Sequence, residues 1–145
     1  MANELRAVVQ ELGGELLFGR TLRTAADLQL AIREGFPQSV IHSLMQAAGI
    51  SLKELAAILD VSSRSLQRRR RSGKLARFES DRLYRVARIV ALAKQSIGDA
   101  GLAVQWLKRP SRALAGKIPL QIIDTELGAR AVENVLGKIA YGGVS

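Results

Sequence analysis

Along most of the chain apolar residues recur every three to four positions, and no segment alternates convincingly with period two, so the pattern predicts an all-α fold. A first helix is expected over residues 4–12, broken by Gly13-Gly14 and followed by a short extended piece at 16–18. Thr24 stands where an N-cap belongs for a helix over 25–34, which Gly35 ends. Pro37 opens the next at its favoured first turn, with Val40, Ile41, Leu44, Met45 and Ala48 as the apolar stripe and Gly49 as the stop. Ser51 with Glu54 three residues on reads as a capping box, Ser62 or Ser63 caps a fourth helix, and Gly73 stops it. The longest periodic segment, 79–96, turns Leu83, Val86, Ile89, Val90 and Ala93 inward. A helix carrying Trp106 continues over 97–107 to a break at Pro110. Pro119 begins a short turn to Asp124, and Thr125 caps a last helix over 126–141, with Ala129, Val132, Val135, Leu136 and Ile139 inward and Gly142-Gly143 at its end.

The stretch 52–71, LKELAAILDVSSRSLQRRRR, concentrates the information: an apolar-patterned helix, a polar break and a strongly basic helix within twenty residues. That order predicts a helix-turn-helix, in which one helix braces and the next enters the DNA major groove. Leu55, Ala56, Leu59, Val61 and Leu66 fall where the two helices meet, and Ala56 is small enough for a close crossing. Helical spacing gathers Arg64, Gln67, Arg68 and Arg71 on one face. Ser63, Arg64, Gln67 and Arg68 are expected at base edges, Arg71 and Lys74 on phosphate, and Ser62 at the cap beside them. Two positions depart from the usual pattern. Asp60 occupies a turn that often holds glycine, where its carboxylate can accept local backbone bonds. Arg69 sits where a second apolar residue usually locks the helix, and its stem is expected to lie over apolar surface with the head in water.

Charge supports this reading because it is uneven. Of the formal net +9, residues 51–90 carry 11 basic and 4 acidic groups, a net of +7. Residues 1–50 carry 4 and 5, a net of −1, and residues 91–145 carry 7 and 4, a net of +3. A local excess of this kind is what a phosphate-binding surface needs. Arg82, Arg85 and Arg88 form a second basic stripe, which fits either a solvated helix face or flanking phosphate contacts. At 145 residues with 48% hydrophobic content, the chain can build one compact domain or two small ones sharing a core. No apolar run approaches the roughly 20 residues needed to span a bilayer, and the N-terminal residues lack a secretory pattern, so a soluble, cytoplasmic chain is expected. The absence of cysteine removes disulfides and thiolate metal sites.

Enzyme chemistry finds little support. His42 is the only histidine, too few for a zinc site and without a nucleophile elbow to serve. Neither a GxxxxGK[ST] phosphate loop nor a GxGxxG turn occurs. Trp106 in a short amphipathic helix fits a core anchor better than a base-stacking platform. No catalytic, cofactor-binding or metal-binding residue is therefore assigned.

Three segments, RSLQRRRRSGKL (64–75), ESDRLYRVARI (79–89) and AVQWLKRPSRALAGKIPLQIIDTELGARAVENVLGKIAYG (103–142), resemble the Xre/MbcA/ParS antitoxin family. The likeness runs from about residue 27 to the last. Its specific part is the second half, with Trp-Leu and Pro, a glycine-bounded loop, Pro-Leu before a Thr-capped G-A-x-x-V-E helix, and a closing L-G-x-I-x-x-G. It implies an Xre-like helix-turn-helix region (25–97) and a toxin-binding domain (98–145), while residues 1–24, weakly patterned and outside the likeness, are expected to be a variable N-terminal arm, flexible or an oligomer contact. It also implies an antitoxin that occludes the active site of a cognate RES-domain toxin, one that degrades NAD or ADP-ribosylates a target, and that represses its own operator DNA. Lys138, Tyr141, Gly142, Gly143, Val144 and Ser145 are the toxin contacts it suggests. In ESDRL, Ser80 and Asp81 are expected to cap the long helix and Arg82 to pair with a carboxylate. Ser65 keeps a hydroxyl where the family often has threonine, and Ser111-Arg112 replaces Asn or Gly after the proline. A homodimer is expected, because paired half-sites follow protein symmetry, as is a larger complex with toxin. The alternative is a stand-alone helix-turn-helix regulator whose C-terminal half only dimerises.

Overall fold

The structure, a computed structural model, describes residues 2–71 and 73–142. They form ten α-helices and one 3-10 turn, and among the described residues no strand is present, only two isolated bridges. The helices are α1 (Ala2–Glu11), α2 (Glu15–Phe18), α3 (Ala25–Glu34), α4 (Ser39–Ala48), α5 (Leu52–Leu59), α6 (Ser63–Arg69), α7 (Arg77–Ile97), α8 (Ala100–Leu107), α9 (Pro119–Ile122) and α10 (Glu126–Gly142).

Helix α7 organises the rest. Its 21 residues span about 31 Å, and α1, α3, α4, α5, α8 and α10 all pack along it. Leu83, Val86, Ala87, Ile89, Val90 and Ala93 are fully buried and give the helix one broad apolar face. The N-terminal helix belongs to this core. Val8, Val9 and Leu12 are buried against α7, and Glu11 pairs with Lys94 at 2.8 Å, so residues 4–12 are docked rather than free. Residues 16–18, expected to be extended, form the short helix α2, which ends on a left-handed Gly19.

Local capping explains several boundaries. Thr24 with Asp27 and Ser51 with Glu54 form reciprocal capping boxes, and the bonds to Arg23 and Thr24 hold the Asp27 carboxyl below the usual carboxylate range. Pro37 lies two residues before α4 and is bridged to Lys74 through its neighbours, the Leu75 N–H donating to the Phe36 carbonyl at 2.9 Å and the Gln38 N–H to the Gly73 carbonyl at 3.1 Å, so the missing N–H of proline costs the bridge nothing. This joint is tight: a Cβ on Gly35, at φ +93°, would stand 2.1 Å from the Leu75 carbonyl oxygen. The long helix starts at Arg77, not at 79, and Ser80 and Asp81 do not cap it. Glu79 reaches back to the Ala76 N–H at 2.8 Å, while the buried Ser80 hydroxyl accepts from the Phe36 N–H at 2.8 Å and donates to the Ala76 carbonyl.

Candidate functional site

Helices α5 and α6 form the anticipated pair. Leu55, Ala56, Leu59 and Leu66 are buried at their contact. The turn works with Asp60 because that residue adopts the left-handed conformation, φ 56°, and donates its N–H to the carbonyls of Ala56 and Ala57. Ser62, rather than Ser63, caps α6, accepting from the Ser65 N–H at 3.0 Å. Ser62, Ser63, Arg64, Gln67 and Arg68 are all exposed there. Arg71 is exposed too, but α6 ends at Arg69, so it stands on the following turn, its N–H donating to the Arg68 carbonyl at 3.0 Å. Lys74 is exposed on the bridged strip against Pro37.

The basic residues of 51–90 sort into two groups. Arg82 donates to the Leu59 carbonyl, at the end of α5, and lies over the Phe78 ring, not on a carboxylate. Arg85 bonds the Asp124 carbonyl at 3.1 Å and pairs with Glu126 at 3.3 Å; Arg88 pairs with Glu126 at 3.4 Å and Glu133 at 3.2 Å. The Glu126 carboxyl is held below its usual range because Arg88 and Arg85 outweigh the opposing effect of burial. This stripe is therefore neither a solvated face nor a free phosphate contact: Arg85 and Arg88 fasten α10 to α7, and Arg82 ties α7 to the end of α5. Arg69 likewise pairs with the buried Glu79, at 3.2 Å. By contrast, among the described residues Arg64, Arg71 and Lys74 have no acidic partner, and Arg68 reaches a serine, Ser65, at 3.5 Å. Among the described residues the exposed cations of α6 and the turn after it, apart from Arg69, thus lack an acidic partner, as do Lys53 and Arg77.

The second surface is the outer side of α10. Tyr141 is 95% exposed and Leu127 82%, with Asn134 and Lys138 exposed between them. Spacings of seven, four and three residues put all four on one stripe. Leu127 had drawn no notice in the sequence, although it stands apart from the inward stripe. Gly142 is exposed, and Gly143, Val144 and Ser145 lie outside the described residues. Arg85 and Arg88 meet Glu126 and Glu133 in the same order along both helices, so α7 and α10 run in the same direction. With α6 tied to the first turn of α7 through Glu79, the exposed end of α10 is carried toward the opposite end of that helix. His42 is exposed, and Trp106 is half-buried against the core. Among the described residues no group of three His, Cys, Asp or Glu side chains could hold a metal, and no helix is long and apolar enough to cross a membrane.

The fold thus defines an all-helical helix-turn-helix protein whose last helix presents a second exposed, partly apolar stripe. Residues 27–88 match the antitoxin Xre-like helix-turn-helix domain, and residues 91–142 match the antitoxin Xre/MbcA/ParS C-terminal toxin-binding domain. The chain belongs to the Xre/MbcA/ParS antitoxin family. It is similar to Antitoxin Xre of Yersinia enterocolitica, 32% identical over 97% of this chain and 93% of that one. It is also similar to Antitoxin Xre of Photorhabdus laumondii, 34% identical over 81% of each chain, and to that of Pseudomonas putida, 33% identical over 80% of this chain and 72% of that one. A chain of the M. tuberculosis MbcT–MbcA toxin–antitoxin complex shares the fold, with a TM-score of 0.56 at 23% identity over 74% of this chain and 96% of that one. The two matched stretches meet inside α7, which packs against elements of both.

Proposed function

We propose that this chain is the antitoxin of a type II toxin–antitoxin module, acting by binding and not by catalysis. Its α10 stripe and C-terminal residues cover the active-site entrance of a RES-domain toxin that degrades NAD or ADP-ribosylates a target. Its α6 face enters the major groove of operator DNA, as part of a cytoplasmic homodimer and of a larger complex with toxin. One observation carries the reading: the stretch matched as a toxin-binding domain ends in a firmly fastened helix that leaves Leu127 and Tyr141 almost wholly exposed. Large apolar side chains held rigidly in water favour a protein partner. In this reading toxin and DNA take different surfaces, α10 and α6.

Two variants test it. Removing residues 138–145 is expected to abolish both co-purification of the neighbouring reading frame's product and protection from it. Retained capture, with loss of self-association instead, would favour a C-terminal half that only dimerises. Arg68→Ala is expected to weaken binding to the duplex upstream of the gene by about 5- to 150-fold, corresponding to about 1–3 kcal/mol for a lost guanine contact. Unchanged affinity in a mobility-shift assay would remove Arg68 from the DNA face.

A further inference from the structure

We infer that the loop between α8 and α9 is a second contact for the DNA backbone, so that the C-terminal half grips the same duplex as the helix-turn-helix. The inference rests on the DNA-binding reading above and extends it to a part of the chain matched as toxin-binding.

The loop carries Arg109, Arg112 and Lys117, all exposed and, among the described residues, without an acidic partner. Elsewhere in this half Lys94 is answered by Glu11, Lys108 by Glu54 and Arg130 by Glu126, while Lys138, on the α10 stripe, has no acidic partner among the described residues. The loop is also built to hold its shape. The Ser111 N–H donates to the Lys117 carbonyl at 3.0 Å, the Gly116 N–H to the Ser111 carbonyl at 2.8 Å, and the Lys117 N–H to the Leu114 carbonyl at 3.1 Å. Ser111 and Leu114 are buried beneath it. The three cations therefore project from a closed platform that needs little further ordering to meet a polyanion.

Position decides the partner. Lys108, the residue before Arg109, donates to the Gly49 carbonyl and pairs with Glu54 at 3.7 Å. One turn earlier, Val104 packs on Gly49, where a Cβ would come within 3.1 Å of its Cγ1. The end of α8 is thus seated on the first turn of α5, the helix before the recognition helix. Lys53 is exposed in that same turn and has no acidic partner among the described residues. Glu54, the acid of this turn, is occupied by the Ser51 N–H and by Lys108, and both hold its carboxyl below the usual range against the opposing effect of burial. In a helix-turn-helix the bracing helix crosses the phosphate backbone beside the groove that its partner enters. A cationic loop fixed to the start of α5 is then carried to that backbone along with Lys53. An acidic protein surface could also answer three cations, but it would not require them to be seated on the bracing helix.

The test uses the full chain, its variant R109A/R112A/K117A, and two duplexes of about 30 base pairs titrated from about 50 to 200 mM salt. One duplex is the DNA immediately upstream of the reading frame; the other is mixed-sequence. All three side chains are exposed, and circular dichroism checks that the variant is folded. The expected result is a similar loss of affinity for both duplexes and a log–log salt slope shallower by about 2.7, three phosphate contacts at about 0.9 each. A slope equal to the parent's, while Arg68→Ala still weakens binding, overturns the inference and leaves the DNA reading standing. An unchanged slope with loss of the neighbouring gene product overturns it in favour of an acidic protein surface. Failure of the parent chain to bind either duplex overturns the DNA reading itself, and this inference with it.

Discussion

Replacing Gly128 with alanine is expected to destabilise the chain by about 3 kcal/mol, at the upper end of the usual range for overpacking, and to lower Tm by roughly 10 °C. Gly128 stands in the first turn of α10, where a Cβ would lie 1.6 Å from the Ile122 carbonyl oxygen and 2.7 Å from its carbon. Both are backbone atoms, so no side-chain rotation relieves the clash. Either α9 moves or the first turn of α10 opens. The second route also breaks the cap in which the Gly128 N–H donates to the Thr125 hydroxyl at 3.0 Å. Gly137, two and a half turns further along the same helix, supplies the control, because nothing lies within 4 Å of the Cβ it would gain. There alanine should raise stability by about 0.5–1 kcal/mol, since it removes the backbone entropy that glycine loses in a helix. The two substitutions are chemically identical, so opposite shifts in thermal unfolding isolate the contact with α9. Equal melting of Gly128→Ala and the parent would deny the close approach. Because α10 presents Leu127 and Tyr141, the destabilised variant should also capture its partner poorly.

The contrast between these glycines bears on what the sequence could disclose. Helices whose ends are capped by nearby side chains, such as Thr24 with Asp27 and Ser51 with Glu54, were legible because cap and helix lie within one short window. The start of α7 was not. Ala76 has no capping side chain, and the serine that looked like a cap instead answers the Phe36 N–H, 44 residues away. Residues 16–18 are too few to declare a helical period. The α5–α6 pair and its exposed cations were readable since that surface is local and charged. The role of Arg82, Arg85 and Arg88 was closed to inspection, as their partners stand 23 to 45 residues away in the chain. Leu127 could have been noticed, an isolated large apolar residue opposite the inward stripe, but such residues are ordinary until the fold shows what surrounds them. The surface formed by α8, its loop and α5 depends wholly on tertiary contacts.

Arg69 is where sequence and structure meet most closely, and it sets the second large expectation. The usual second apolar lock of the recognition helix is replaced by an ion pair to Glu79, whose side chain is 2% exposed while that of Arg69 is 45% exposed. Glu79 divides its oxygens, one accepting from Arg69 Nε at 3.2 Å and the other from the Ala76 N–H at 2.8 Å. Glu79→Ala should therefore cost about 2–3 kcal/mol, because it strips an acceptor from the N–H that opens α7 and removes the charge facing a half-buried guanidinium. Glu79→Gln keeps an acceptor for Ala76 and should cost less, separating the cap from the charge. The double variant Arg69→Leu/Glu79→Met restores an apolar lock and should lie near the parent in stability, since exchanging both members of the pair leaves no buried charge without its partner. Thermal unfolding of the three variants reads this order, and a mobility-shift assay reads its consequence. With α6 released from α7, Glu79→Ala should lose DNA affinity although Glu79 itself is buried away from any DNA surface. Should the alanine variant unfold with the parent, the pair would not be what fixes α6, and its packing on α5 through Leu66 would have to hold it.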